Sequence, residues 1–330
     1  MRKMAIVSAV LILFLAAPTC FAAAPMKVFV SILPQKYFVE KIGGDLVDVS
    51  VMVQPGANPH NYEPKPRQMV AISKTMVYFA IGITFEEIWL ERIASTNPKM
   101  RIVHTEAGIE KIPMLAHHHH EEESEHRHDE GKHHHEKEGD GNMEEEHDHD
   151  EKAKHHDTEA EDDHMHHGIK DPHVWLSPPL VMVQARNILR ALDSVDPVNR
   201  SAYERNYRDF IMELVVLDEE LRKIFAGKKE GLEFMVFHPA WGYFANSYGL
   251  EQVPIEIEGK EPKPAELKDL IEHARERDIK VIFVQPQFSS ESAKTIAKSI
   301  GGQIAFVDPL AANWANNLRE VANKFKAALK

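Results

Sequence analysis

The chain has 330 residues, enough for about two domains at ~150 residues each. Its 43% hydrophobic and 28% charged residues are ordinary for a globular protein and exclude a collagenous, wholly disordered or multi-span membrane chain. The net charge of −13 is concentrated in residues 117–167, which hold 20 acidic residues against 5 basic ones and 16 of the 21 histidines; the remainder is close to neutral and gives no basic excess for nucleic acid.

Residues 1–24 read as a secretory signal. Arg2 and Lys3 precede an apolar run over 5–17 that is too short to span a bilayer comfortably, and small residues follow at Ala22, Ala23 and Ala24. The expectation is export to the periplasm with cleavage near Ala22–Ala24. Pro18 fits a lipid-attachment signal around Cys20 poorly, so cleavage is expected to remove the single cysteine and leave a mature chain without disulfides.

Apolar, β-branched runs then alternate with helical patterns. Strands are predicted over 28–32, 46–53, 76–81 and 101–104, with helices over 34–42, 66–73 and 85–94. The rhythm returns after position 230, with strands over 234–237, 253–257, 281–284 and 304–307 and helices over 239–248, 264–277, 290–299 and 313–328. Such alternation predicts an α/β fold of two similar parallel-sheet lobes. Between them, Asp196-Pro197 is a good helix start. Tyr203, Tyr207, Phe210, Leu214, Leu217, Leu221 and Ile224 form one apolar stripe, and Gly227 is a stop. Some 30 helical residues span ~45 Å, the length of a strut along both lobes. The expected division is an N-terminal lobe over 25–196, a connecting helix over 197–226 and a C-terminal lobe over 227–330.

The N-terminal lobe is interrupted by residues 116–170, which lack apolar periodicity and have too little to bury, so disorder is expected there. Imidazole suits zinc, copper and nickel. The segment 117–167 is therefore expected to take up additional ions, each weakly because binding must order the chain.

Five histidines lie outside it. His60 follows the strand over 46–53 in Pro55-Gly-Ala-Asn-Pro-His-Asn-Tyr-Glu-Pro64. His173 lies in Asp171-Pro-His-Val-Trp-Leu176. His238 follows the strand over 234–237 in His238-Pro-Ala-Trp-Gly-Tyr-Phe244, and Asp308 follows the strand over 304–307. Open parallel sheets place ligands at the carboxyl ends of their strands. A proline beside each of the four stiffens its loop. Three imidazoles and a carboxylate make a tetrahedral zinc site. His104 lacks that context, and His273 lies in a charged helix; both are left outside the set.

These motifs closely resemble the periplasmic metal-binding receptors of bacterial zinc and manganese ABC importers, and among them the high-affinity zinc-uptake branch, over about residues 26–330. The resemblance implies a cation held between two lobes joined by a rigid helix, with His60 and His173 from the first lobe and His238 and Asp308 from the second. It implies a receptor and not an enzyme, an ABC permease in the inner membrane as partner, and Zn2+ as the bound ion. In this family water can replace the aspartate as fourth ligand. Manganese-type members tend to carry Glu where His238 stands, so a manganese receptor is the alternative. Three positions depart from the family pattern: Asn58, where many members carry an acid, Ser177, where Asp or Asn is common, and Gln285, where many relatives have Glu. A periplasmic zinc buffer and a zinc hydrolase are rival functions; the chain shows no His-Glu-x-x-His hydrolase signature. Nothing in the sequence demands more than a monomer.

Overall fold

The computed structural model describes residues 24–114, 170–257 and 259–329. The expected signal segment, apart from Ala24, and nearly all of the histidine-rich segment lie outside the described residues. In the first lobe the valine-rich β1 (Met26–Val30) lies between β2 (Val47–Val51) and β3 (Val77–Ala80), with β4 (Arg101–His104) at the far edge. All pairings are parallel, and Val28 aligns with Val49 on one side and Val77 on the other. In the second lobe β5 (Leu232–Val236) lies between β6 (Leu250–Pro254) and β7 (Val281–Val284), followed by β8 (Gln303–Phe306), again all parallel. The two lobes thus share one strand order and the expected α/β architecture. Each changes direction between its first and third strands, the position where such sheets open a crevice.

Helices α1 (Leu33–Gly43), α2 (Pro66–Ile72) and α3 (Thr84–Thr96) connect the first sheet; α6 (Gly242–Tyr248), α7 (Pro264–Glu276), α8 (Glu291–Ser299) and α9 (Trp314–Ala328) serve the second. Proline opens α1, α2 and α7, where the missing N–H and fixed φ cost nothing. Several predicted strands extend past the observed ladders. Ile81, Phe237, Ile255 and Val307 are buried and follow the last ladder residues, so hydrophobicity continues after regular pairing has stopped.

Between the lobes lie α4 (Pro178–Val195) and α5 (Arg200–Phe225). Helix α4 was not foreseen, although Val181, Ala185, Ile188, Ala191 and Leu192 are buried at helical spacing; valines and a buried Gln184 blur the pattern. Helix α5 has 26 residues, about 39 Å at ~1.5 Å each, and follows a 3-10 turn over Pro197–Asn199. Tyr203, Phe210, Leu214, Leu217 and Leu221 of the predicted stripe are buried, whereas Tyr207 and Ile224 lie at its margin. Gly227 follows the end of α5 with φ +75°, a conformation that costs glycine little.

One continuous apolar core joins Val28 and Phe79 of the first sheet, through α4 and α5, to Phe234, Phe244 and Phe325 of the second lobe; a smaller one lies around Met235, Leu270, Ile282 and Ile296. Phe38 of α1 meets Trp314 of α9 edge-on at 4.9 Å. Trp314 Nε1 donates to the Trp175 carbonyl, and Trp175 Nε1 donates to that of Pro309, each at 2.8 Å. These contacts tie α1 and the Trp175 turn of the first lobe to the second. Among the described residues no helix is long and apolar enough to cross a membrane.

Candidate metal centre

Three loops bring the predicted histidines together. After β2 the chain stays beside β1 through Met52 and Val53, whose amides donate to Val30 and Ser31 carbonyls. It then enters the loop with Pro55, Pro59 and Pro64, where His60 N–H donates to Asn58 Oδ1 at 2.8 Å. His238 lies two residues beyond β5. Gln285, just beyond β7, brackets its backbone by accepting from His238 N–H at 3.1 Å and donating Nε2–H to its carbonyl at 2.7 Å. A glutamate would lack that donor, which explains the amide at this position. His173 precedes a buried 3-10 turn, Val174–Leu176, and its N–H donates to Asp171 Oδ1 at 2.9 Å.

The three rings are oriented alike. Each turns Nδ1 outward to a partner: His173 to Asp171 Oδ1 at 2.7 Å, His238 to Glu256 Oε1 at 2.7 Å, and His60 to Thr84 Oγ1 at 3.3 Å. A carboxylate accepting from Nδ1–H fixes the tautomer that leaves Nε2 with its lone pair free. The Nε2 atoms face one another, His60 to His238 at 3.1 Å and His238 to His173 at 3.3 Å, and the three ligand atoms all lie within 4.8 Å of one another. A tetrahedral zinc with bonds of ~2.05 Å has ligand–ligand edges of about 3.3 Å. Convergent lone pairs at this spacing repel, and a cation among them removes the repulsion.

His173, His238, Asp171 and Glu256 are buried. Burial pushes the pKa of the His60 ring down to about 3, with the neighbouring His238 and His173 adding to the shift. Burial also lowers that of His238, against the opposing effect of its hydrogen bond to Glu256. The lowered rings favour the neutral form that binds metal. The carboxylates of Asp171 and Glu256 stand directly behind two of the imidazoles, placed to offset the charge of a bound cation.

Asp308 is placed differently. Its Oδ1 accepts from Gln287 Nε2 at 2.7 Å and from Leu310 N–H at 2.9 Å, and among the described residues the convergent set contains only the three histidines. His104 pairs with Glu106 at 3.1 Å and His273 with Glu233 at 2.6 Å, both outside that set. Sequence reasoning missed Thr84 and Glu256 altogether. It quoted Asp171 only as part of a motif and Gln285 only as a departure. Their signal was positional: Glu256 and Thr84 lie just beyond β6 and β3, and Asp171 is two residues before a proposed ligand.

Two like lobes with a histidine cluster beyond their strand ends are the arrangement of a solute-binding protein. The model of the family described as the periplasmic component A of the zinc-uptake complex, ZnuA, matches residues 28–328. The high-affinity zinc uptake system protein ZnuA of Bacillus subtilis is 31% identical over 287 residues, covering 86% of this chain and 78% of that protein. The zinc-binding protein AdcA of Streptococcus pyogenes is 27% identical over 293 residues, 88% of this chain; the match spans about half of AdcA, 51%. Among solved structures, a crystal structure of ZnuA superposes with a TM-score of 0.74 at 38% identity, covering 92% of this chain and 99% of that one. A zinc-bound ZnuA deletion mutant gives the same TM-score and identity. The chain belongs to the ZnuA family, the periplasmic binding proteins of zinc and manganese ABC importers. It is a family of solute-binding receptors and not of enzymes.

Proposed function

We propose that this protein captures Zn2+ in the periplasm on Nε2 of His60, His173 and His238 and delivers it to an ABC permease. The observation that carries this reading is the shared ring orientation: three Nε2 atoms inward within 4.8 Å, three Nδ1 atoms held outward. Nitrogen donors in a four-coordinate arrangement suit zinc, whereas manganese prefers more oxygen, so the manganese alternative is not favoured. A water molecule completes the coordination, while Asp308 remains with Gln287 and Leu310. The protein acts as a monomer after removal of its signal near Ala22–Ala24. Helix α5 stiffens the two lobes, so release depends on the permease displacing the ligand loops and not on wide lobe opening. Residues 117–167 gather additional ions at weaker sites. Competition titration of zinc against a chelator tests this reading. It predicts one tight site in the wild type that is lost in His173→Ala, with the weaker sites kept. Retention of the tight site would assign it to residues 117–167 and favour the buffer reading.

A further inference from the structure

The loop after β7 touches the site at three points. Gln285 brackets the His238 backbone. Gln287 donates Nε2–H to Asp308 Oδ1 at 2.7 Å, and its own Oε1 is buried without a hydrogen-bond partner. Phe288 lies flat on the imidazole of His238, with centroids 4.4 Å apart and planes at 18°, and its centroid is 6.3 Å from that of His60. It also meets Phe237 at 6.0 Å and packs against the smaller core, so its position is set by the body of the lobe. None of these residues belongs to the histidine set. Two of them withhold oxygen from it: Gln287 engages the carboxylate of Asp308, and Phe288 sets apolar carbon beside the His60–His238 edge, where water would otherwise crowd the ion.

Zinc is satisfied by four ligands in a tetrahedron, whereas manganese favours octahedral, oxygen-rich coordination. We propose that residues 285–288 set the metal preference of this cleft by holding the coordination number down, Phe288 by excluding water and Gln287 by retaining Asp308. Both are specificity-determining residues that act without touching the ion. The inference rests on the three-histidine reading above and concerns the shell around it.

Cobalt(II) reports coordination number directly, because four-coordinate cobalt absorbs visible light several-fold more strongly than five- or six-coordinate cobalt. The experiment loads the full chain with less than one equivalent of Co2+, so that the tight site fills ahead of residues 117–167, and takes the difference from the same protein carrying His173→Ala, in which the ion is left to those residues. Strong four-coordinate bands are expected for the wild type and for Phe288→Leu, which keeps the apolar cover. Phe288→Ala is expected to show bands weakened several-fold, with the zinc-over-manganese affinity ratio reduced at least about tenfold, the scale of changes around a metal's ligands. Gln287→Leu, which removes the side-chain hydrogen bond on Asp308 and leaves only that from Leu310 N–H, is expected to lower the same ratio, and Asp308→Asn in that background to restore it. Unchanged bands and an unchanged ratio in Phe288→Ala would overturn the inference. A wild-type difference spectrum with no cobalt bands would instead overturn the three-histidine reading on which it rests.

Discussion

Glu256→Gln isolates the charge behind His238 while keeping side-chain shape and a hydrogen-bond acceptor. Glu256 Oε1 is 2.7 Å from His238 Nδ1, and both residues are buried. Adding the width of the ring and a zinc–nitrogen bond of ~2.0 Å places the carboxylate about 6–7 Å from the ion. At an effective dielectric constant of ~20, a single negative charge at that distance attracts a divalent ion by about 5 kcal/mol. The retained hydrogen bond and the desolvation of both charges reduce the net effect; changes to such outer partners lower metal affinity by about 10–100-fold, or about 1.4–2.7 kcal/mol. Chelator competition on the full chain, read at the tight site, is expected to show a loss in that range with folding intact by circular dichroism. An affinity within twofold of wild type would refute the claim that this buried carboxylate balances the ion.

His60→Ala, His173→Ala and His238→Ala are each expected to weaken the tight site beyond the ~100-fold upper range for an outer partner, while Asp308→Ala costs less than about tenfold; isothermal titration ranks the four. Sequence alone places zinc loss below about pH 6 throughout the molecule, near the ordinary histidine pKa of ~6.5. The structure separates the two kinds of site. His60, pushed down to about 3, and the lowered His238 stay neutral further into acid, so tight binding is expected to persist at pH 5 after the weaker sites have emptied; simultaneous release would contradict this. The same shift makes the metal-free protein less stable as pH falls from ~6.5 toward 3, because the unfolded chain takes up a proton that folded His60 refuses, as thermal melts across that window would register. Gly242→Ala places a Cβ 2.8 Å from Asp171 Oδ2; the resulting shift of Asp171 is expected to loosen His173 and lower zinc affinity by about tenfold, with no such loss expected for alanine at exposed Ser73.

The two-lobe fold was legible because short valine- and isoleucine-rich runs such as those around Val28 and Val281 alternate with amphipathic helices, and a parallel sheet requires that alternation. The three histidines were legible because proline-flanked loops at strand ends are stiff and lie where such sheets bind ligands. What sequence left hidden depends on spacing in three dimensions. Glu256 and Thr84 are far along the chain from the rings they orient, and a lone acid after a strand carries no mark of its partner. Asp308 had the right position relative to β8, but the hydrogen bonds from Gln287 and Leu310 that hold it become visible only once the loops are folded.

A zinc-soaked crystal of the full chain, with diffraction recorded on both sides of the zinc absorption edge, tests the central claim most directly. The account predicts one strong anomalous peak about 2.0–2.1 Å from Nε2 of each of His60, His173 and His238. A peak bonded to fewer than two of these nitrogens, or no peak in the cleft at full zinc occupancy elsewhere, would contradict it.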